Sequence, residues 1–172
     1  MTIEEHYIQT RKQKAASSVS EHMPILRGLA DECQHVTEFG VMHVNSTWAF
    51  LASRCPVVVS YDWIREPNVG LALEVCRREN RHWLFIKADV REIVIDETDL
   101  LFIDTEHLSA QLEIELQLHK KNVRRFIVLH DTVLRWEDLQ EAVMAHLAAD
   151  PEWALFASLT NCCGLQIWER QP

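Results

Sequence analysis

Short apolar runs alternate with segments of helical periodicity between residues 35 and 149, and this alternation limits the fold more than any other feature. The runs are His35–Phe39, Val57–Tyr61, Trp83–Ile86, Leu100–Ile103 and Phe126–Leu129. The segments of helical periodicity are Ser46–Ser53, Pro67–Asn80, His107–Lys121 and Trp136–Ala149. Apolar runs too short for a helix are typical of strands buried on both faces. Strands that alternate with helices predict an α/β fold, with a parallel sheet covered by helices on both sides.

The C-terminal part of the sequence departs from this alternation. Two strand-like runs, Trp153–Leu159 and Leu165–Trp168, are separated only by residues 160–164. A parallel pair needs a crossover connection of a dozen or more residues, so this pair is expected to form an antiparallel hairpin. The sequence therefore predicts five parallel strands followed by a terminal hairpin.

The chain is long enough for one domain with a sizeable core. It has 172 residues, of which 48% are apolar and 25% charged, as in an ordinary globular protein. We expect residues 1–18 to form a polar extension with a weak helical tendency and a break at Ser17-Ser18. Residues 19–172 are expected to form a single domain, whose first helix begins near Ser20.

Charge and composition narrow the class of partner. The net charge of −9 argues against a nucleic-acid duplex or an anionic membrane, because both need a basic face. No apolar stretch approaches the roughly 20 residues of a membrane span, and the N-terminus lacks a signal-peptide pattern. Five cysteines without framework spacing fit a reducing compartment. We therefore expect a cytoplasmic protein whose main partner is neither a nucleic-acid duplex nor an anionic membrane; homo-oligomer formation stays open.

Two of the predicted strands end in a carboxylate accompanied by an imidazole. Asp104 and His107 follow the fourth strand, and His130 and Asp131 end the fifth. The carboxyl ends of parallel strands share one edge, where open α/β sheets bind ligands. Two carboxylates could hold Mg²⁺ together with water, and either histidine could act as a base. The alternative is a helix cap at Asp104 and His107 and an Asx turn at Asp131-Thr132.

The order of these elements resembles that of the class I S-adenosylmethionine-dependent methyltransferases. Residues 36–51 resemble the first cofactor motif of the branch whose motif runs E-x-G-x-x-x-G-x-S-T. Residues 101–116 resemble the fourth strand and following helix of that branch, and residues 126–132 resemble its fifth strand. The resemblance spans about residues 20–170. It implies a Rossmann-like three-layer sandwich with a seven-stranded, mostly parallel sheet in the order 3-2-1-4-5-7-6.

The resemblance also implies a site for S-adenosylmethionine. In the family, the acidic residue at the position of Glu38 orients the amino-acid portion of the cofactor, and Gly40 lets the backbone approach it closely. Ser46 and Thr47 open the next helix, where free N–H groups and hydroxyls can bind the carboxylate end. An ordinary helix N-cap is the alternative for Ser46.

The later strand ends carry the remaining implied contacts. Asp62 matches the residue that takes both ribose hydroxyls, Asp89 matches the polar residue near the adenine amino group, and Asp104 closes the cofactor site. In the metal-dependent branch, Asp104 and Asp131 match carboxylate ligands of a magnesium ion. His107, His130 and Asp131 are then the candidate catalytic residues.

One position departs from the family motif. Val44 stands where the branch usually has the last glycine before the Ser-Thr pair. A β-branched side chain is costly at positive φ, and its bulk could intrude on a ligand. The resulting hypothesis is a cofactor pocket that is retained but reshaped around His43 and Val44.

The function that the resemblance implies is transfer of a methyl group from S-adenosylmethionine to an oxygen of a small molecule or sugar. A catalytically degenerate methyltransferase-like module, which serves as a binding or regulatory domain, is the alternative. A nicotinamide oxidoreductase would need Gly-x-Gly-x-x-Gly after the first strand, whereas Gly40 is followed by no glycine before Gly70. Hydroxylases of antibiotic precursors share the sheet, but a shared fold transfers no chemistry.

Overall fold

A computed structural model describes residues 1–13 and 19–172. Within these residues, seven strands form one sheet in the order β3-β2-β1-β4-β5-β7-β6. The strands are β1 His35–Phe39, β2 Val57–Asp62, β3 Trp83–Lys87, β4 Thr98–Ile103, β5 Val123–His130, β6 Trp153–Leu159 and β7 Leu165–Arg170. Strands β1 to β5 run parallel, and β7 pairs antiparallel with both β5 and β6. The predicted strand order and terminal hairpin are confirmed.

Helices cover both faces of the sheet. They are α1 Ile3–Lys12, α2 Met23–Ala30, α3 Asn45–Leu51, α4 Pro67–Arg78, α5 Ser109–His119 and α6 Trp136–Val143. A 3₁₀ turn, Lys120–Asn122, follows α5, and a π-helical turn, Met144–Ala148, continues α6. Buried residues of α1 to α4 form one core with the sheet, and those of α5 and α6 form a second core on the opposite face. The predicted three-layer architecture is therefore present.

The central strands are buried on both sides, as their continuous apolar runs predict. Leu100 and Phe102 of β4 belong to the first core, whereas Leu101 and Ile103 belong to the second. Successive side chains of a strand point to opposite faces, so a strand between two helical layers must be apolar at every position. The polar residues then begin where the strand ends, at Asp104.

Two predicted helix starts are wrong by two or three residues. Helix α5 begins at Ser109 rather than His107, because His107 lies in a loop with a φ of 21°. Helix α2 begins at Met23 rather than near Ser20, with Pro24 in its first turn, where the missing N–H costs nothing. Ser20 is buried in the preceding turn.

The N-terminal segment contains a well-formed helix. Thr2 and Glu5 form a capping box at the start of α1, and each accepts a backbone N–H of the other residue. Ile3 and Tyr7 are buried in the first core, and the ring of His6 stacks on Trp48 at 4.3 Å between centroids. The predicted break at Ser17-Ser18 lies outside the described residues.

Two further features of the described residues concern the helices and the cysteines. None of the helices in residues 1–13 and 19–172 has the length and apolarity needed to cross a bilayer. Cys33, Cys55, Cys76 and Cys163 are free thiols, and the first three are buried.

Candidate functional site

A cavity of about 350 Å³ lies at the carboxyl ends of β1 to β4. Its wall includes four residues that the sequence assigned to a cofactor site: Gly40, Asp62, Asp89 and Asp104. The charged residues of the wall are five carboxylates and one guanidinium: Asp62, Glu66, Asp89, Asp104, Glu106 and Arg91. The cavity is therefore strongly acidic.

Gly40 closes β1 and lets two strand ends approach each other. Its φ is +83°, and a Cβ atom at this position would lie 2.1 Å from the carbonyl oxygen of Asp104. That contact is far below van der Waals distance, and positive φ is a region that glycine occupies without a steric penalty. A side chain at residue 40 would displace the end of β4 and, with it, one wall of the cavity.

Glu38 is fully buried, and three hydroxyl groups surround its carboxylate. Ser46 donates to its Oε1 at 2.6 Å, and Thr47 and Ser60 donate to its Oε2 at 2.8 and 2.6 Å. Burial raises the pKa of Glu38 to about 7, although the hydroxyl donors partly oppose this shift. The sequence assigned direct cofactor contacts to Glu38, Ser46 and Thr47. Their side chains join β1 to α3, and none of the three is among the residues of the cavity wall, so direct contact with the cofactor stays a prediction.

Asp62 fixes the loop that follows β1. Its Oδ2 accepts the backbone N–H groups of Val41 and Met42 at 2.8 and 2.9 Å, and its Oδ1 accepts that of Ile64 at 2.9 Å. This carboxylate lines the cavity and also anchors the loop that borders it.

Val44, which stands in place of the motif glycine, packs its side chain into the core. Val44 has the left-handed φ of 69° that glycine would take, and its side chain is fully buried in the first core. The peptide carbonyl of His43 accepts a hydrogen bond from the side chain of Asn68 at 3.5 Å. Met42 is the residue of this loop that borders the cavity. His43 and Val44 are not among the residues of the cavity wall, and Val44 occupies core space, so a reshaping of the pocket around them stays a prediction.

Asp89 is paired with a neighbour on the far wall. Arg91 donates to its carboxylate from Nη2 at 2.6 Å and from Nε at 2.9 Å, and this pairing lowers the pKa of Asp89. Trp63 also lines the cavity and is 65% exposed.

Asp104, His107, His130 and Asp131 form one compact cluster beside the cavity. The Nε2 atom of His107 lies 3.2 Å from Asp104 Oδ1 and 2.8 Å from Asp131 Oδ2. The Nδ1 atom of His130 lies 3.1 Å from Asp104 Oδ1 and 3.3 Å from Asp131 Oδ1. One ligand atom from each of the four residues can be chosen so that all lie within 4.8 Å of one another. The two strand ends that the sequence singled out therefore meet.

The charges of the residues in this cluster depend on one another. Burial disfavours a charge on Asp104, but His107 and His130 outweigh this effect and lower the pKa of its carboxyl group. Burial also opposes a charge on His107, yet Asp104 and Asp131 raise its pKa to about 9. At neutral pH the cluster therefore pairs an ionised Asp104 with a protonated His107.

Two buried residues near the site were missed by the sequence analysis. Glu115 on α5 accepts hydrogen bonds from Thr105 and Gln111 at 2.9 and 2.8 Å, and burial raises its pKa to about 7. It lies on the buried stripe of α5 with Leu112 and Leu116, and a carboxylate at such a position was a readable signal. His22 is buried with its ring 5.5 Å from that of His130. No local pattern indicated that contact.

Comparisons with known proteins agree with this architecture. No family model matches the sequence, and no curated protein matches it either. Solved structures do resemble it.

An O-methyltransferase from Bacillus cereus in complex with SAH has a TM-score of 0.68 at 15% identity, over 97% of this chain and 91% of that one. The SAH-bound methyltransferase of Podospora anserina has a TM-score of 0.62 at 16% identity, over 99% and 88% of the two chains. The N-methyltransferase NodS of Bradyrhizobium japonicum, in complex with SAH, has a TM-score of 0.65 at 14% identity, over 97% and 99%.

The strand order, the helical layers and these similarities define the fold. The chain has the Rossmann-like fold of the class I S-adenosylmethionine-dependent methyltransferases. The similar structures include both an O- and an N-methyltransferase, so the fold leaves the acceptor atom open.

Proposed function

We propose that the protein transfers a methyl group from S-adenosylmethionine to an oxygen of a small molecule or sugar. One observation carries the proposal: Gly40, Asp62, Asp89 and Asp104 come from four different strand ends and line a single cavity. A sheet that served only as a scaffold would have no need for three carboxylates at one edge.

The charge of the cavity supports a cationic ligand. Five carboxylates and one guanidinium line it, and S-adenosylmethionine carries a positive sulfonium group. In this proposal, Gly40 provides close backbone approach, Asp62 binds the ribose hydroxyls, and Asp89 lies at the adenine end. Glu38, Ser46 and Thr47 act indirectly, because their hydrogen bonds stabilise the start of α3 and the loop before it.

The chemistry needs alignment and removal of one proton. The acceptor oxygen attacks the methyl carbon, the carbon–sulfur bond breaks, and sulfur keeps the electron pair to give S-adenosylhomocysteine. The proton of the acceptor hydroxyl passes to a base, for which His107 and His130 are the candidates, with Asp131 orienting them. His107 accepts a proton only in its neutral form, which its raised pKa makes scarce at pH 7.

A divalent cation fits the cluster at the strand ends. Among the described residues, Asp131 Oδ1 is buried without a hydrogen-bond partner, and an unpaired buried carboxylate oxygen is costly. Asp104 and Asp131 would hold the ion, with Mg²⁺ as the ion expected from the carboxylates alone. Such an ion would lower the pKa of an acceptor hydroxyl bound to it.

A non-catalytic methyltransferase-like module is the second candidate. The observation that favours it is that Glu38, Ser46 and Thr47 are hydrogen-bonded to one another and are not among the residues of the cavity wall. The compartment that we propose, the cytoplasm, rests on the lack of framework spacing among the cysteines and on the acidic composition.

Calorimetric titration with S-adenosylhomocysteine tests the proposal before any acceptor is known. We expect one site per chain, and we expect Asp62→Ala to weaken binding by about tenfold or more, since it loses both the ribose acceptor and the loop anchor. Asp96→Ala, which removes an exposed carboxylate outside the cavity wall, is the matched control and should bind as the unmodified protein does. Absence of binding in the folded, unmodified protein would favour the non-catalytic module.

A further inference from the structure

We propose that Asp104, His107, His130 and Asp131 form a four-ligand site, with two imidazole and two carboxylate donors, that selects a transition-metal ion over Mg²⁺. The inference deepens the proposed function by naming the class of metal. It rests on the cluster alone, because the four ligands would bind such an ion whether or not the chain transfers methyl groups. With the ion bound, His107 and His130 would serve as ligands and not as the base.

The spacing of the donor atoms fits a small ion. The four measured nitrogen–oxygen distances in the cluster range from 2.8 to 3.3 Å. Ligand atoms at 2.0–2.1 Å from a tetrahedral zinc-sized ion are separated from each other by roughly 3.3–3.4 Å. Those distances involve both oxygens of Asp131. When one donor atom is taken from each residue, the four atoms lie within 4.8 Å of one another, so the side chains would have to draw together around the ion.

A buried oxygen atom points to a missing partner. Asp131 is 8% exposed, and its Oδ1 atom is without a hydrogen-bond partner among residues 1–13 and 19–172. That oxygen lies inside the cluster, 3.3 Å from His130 Nδ1, in a geometry that makes no hydrogen bond. Leaving a charged oxygen unpaired in a buried position is unfavourable, and a cation between the two residues would satisfy it.

The chemical nature of the donors selects the metal. Mg²⁺ prefers six oxygen ligands in octahedral geometry and keeps several of its waters. Two of the four donors here are imidazole nitrogens, which suit zinc, copper, iron and nickel. His130 and Asp131 are also 1% and 8% exposed, which leaves little room for the waters that magnesium retains. Imidazole content and burial therefore both disfavour Mg²⁺.

The competing explanation is a closed ion-pair network. Two carboxylates and two protonatable imidazoles can balance each other without any ion, as the short contacts of His107 with Asp104 and Asp131 illustrate. Such a network would gain nothing from a transition metal. The two explanations therefore differ in a direct binding measurement.

Cobalt(II) is the probe, because its visible absorption reports the number and type of its ligands. The full chain, freed of metal with a chelator, is titrated with Co²⁺, and Zn²⁺ or Mg²⁺ is then added at equal concentration. We expect one Co²⁺ per chain, with the absorption of a four- or five-coordinate nitrogen and oxygen site. We expect Zn²⁺ to displace it and Mg²⁺ to leave the spectrum unchanged.

The variant His107→Gln removes one imidazole from a partly exposed loop position. We expect it to weaken Co²⁺ binding by about a hundredfold, since a lost ligand costs at least as much as a lost supporting contact. His82→Gln, which removes an exposed imidazole from the β3 edge, is the matched control and should bind Co²⁺ like the unmodified protein.

Three results would overturn the inference. They are displacement of Co²⁺ by an equal concentration of Mg²⁺, the absence of any Co²⁺ spectrum from the folded protein, and sulfur-to-cobalt charge-transfer bands, which would place the ion on a cysteine. A parallel titration with S-adenosylhomocysteine keeps the two proposals apart. Binding of Co²⁺ without binding of S-adenosylhomocysteine would support the metal site and contradict the methyltransferase function. Binding of S-adenosylhomocysteine without Co²⁺ would support the methyltransferase function and contradict the metal site.

Discussion

Glu38 and Asp104 are two carboxylates on neighbouring strands whose environments act in opposite directions. Glu38 lies within β1 and accepts hydrogen bonds from three hydroxyl groups, whereas Asp104 follows β4 and contacts two imidazoles. Burial disfavours a charge on both. It raises the pKa of Glu38 to about 7, but the two histidines reverse its effect and lower the pKa of Asp104.

The charge of the partner explains the difference. A neutral hydroxyl stabilises a carboxylate with a single hydrogen bond, while a protonated imidazole adds direct charge attraction in a poorly solvated site. Glu38 therefore serves as an internal support for the loop at the cavity. Asp104 stays ionised at neutral pH and is available for a cation or a reacting group.

The largest effect is expected from Asp104→Asn, which removes the charge that the histidines share. We expect the free energy of unfolding at pH 7 to fall by about 3 kcal/mol, because a buried charge pair is broken from one side. Urea denaturation measures this change, and Asp96→Asn is the surface control. A decrease as small as that of the control would mean that the histidines carry no charge in the folded protein.

The variant Glu38→Gln should change how the stability of the protein depends on pH. Because the pKa of Glu38 is raised from 4.5 to about 7 in the folded protein, the native state binds more protons than the unfolded state between these values. Stability contributed by this group is then lost as the pH rises from about 4.5 to 7. We expect Glu38→Gln to reduce that loss by on the order of 1–3 kcal/mol, measured as the difference in unfolding free energy between pH 5 and pH 7.

Glu115→Gln is the comparison variant for this pH effect, because burial raises the pKa of Glu115 to the same value of about 7. Glu115→Gln alone should also reduce the stability that is lost between pH 5 and pH 7, and the double variant should reduce that loss more than either single variant. An unchanged pH profile in Glu38→Gln would show that the three hydroxyl donors fully offset the burial of this carboxylate.

Val44→Gly should have the smallest effect. It relieves a left-handed backbone strain of about 1–2 kcal/mol but loses a buried side chain worth about 1.5–3 kcal/mol. We expect a net decrease in stability of about 1 kcal/mol and an affinity for S-adenosylhomocysteine within about twofold of the unmodified protein, since Val44 packs in the core. A tenfold gain in affinity would instead place Val44 in the path of the ligand.

The sequence by itself determined the order of elements, the sheet and the edge at which the site lies. Run length and periodicity are local properties, so the continuous apolar runs before Asp104 and His130 sufficed to predict two buried parallel strands that end side by side. The five-residue link before Leu165 likewise sufficed for the hairpin.

Only the tertiary structure decided which polar groups face the cavity and which face each other. Ser60 reaches Glu38 from 22 residues away, and His22 meets His130 across the first core. Such pairings depend on sheet register and layer packing, which are set by contacts distant in sequence. For the same reason the motif around Val44 could predict a strained loop, but not that its side chain would turn into the core.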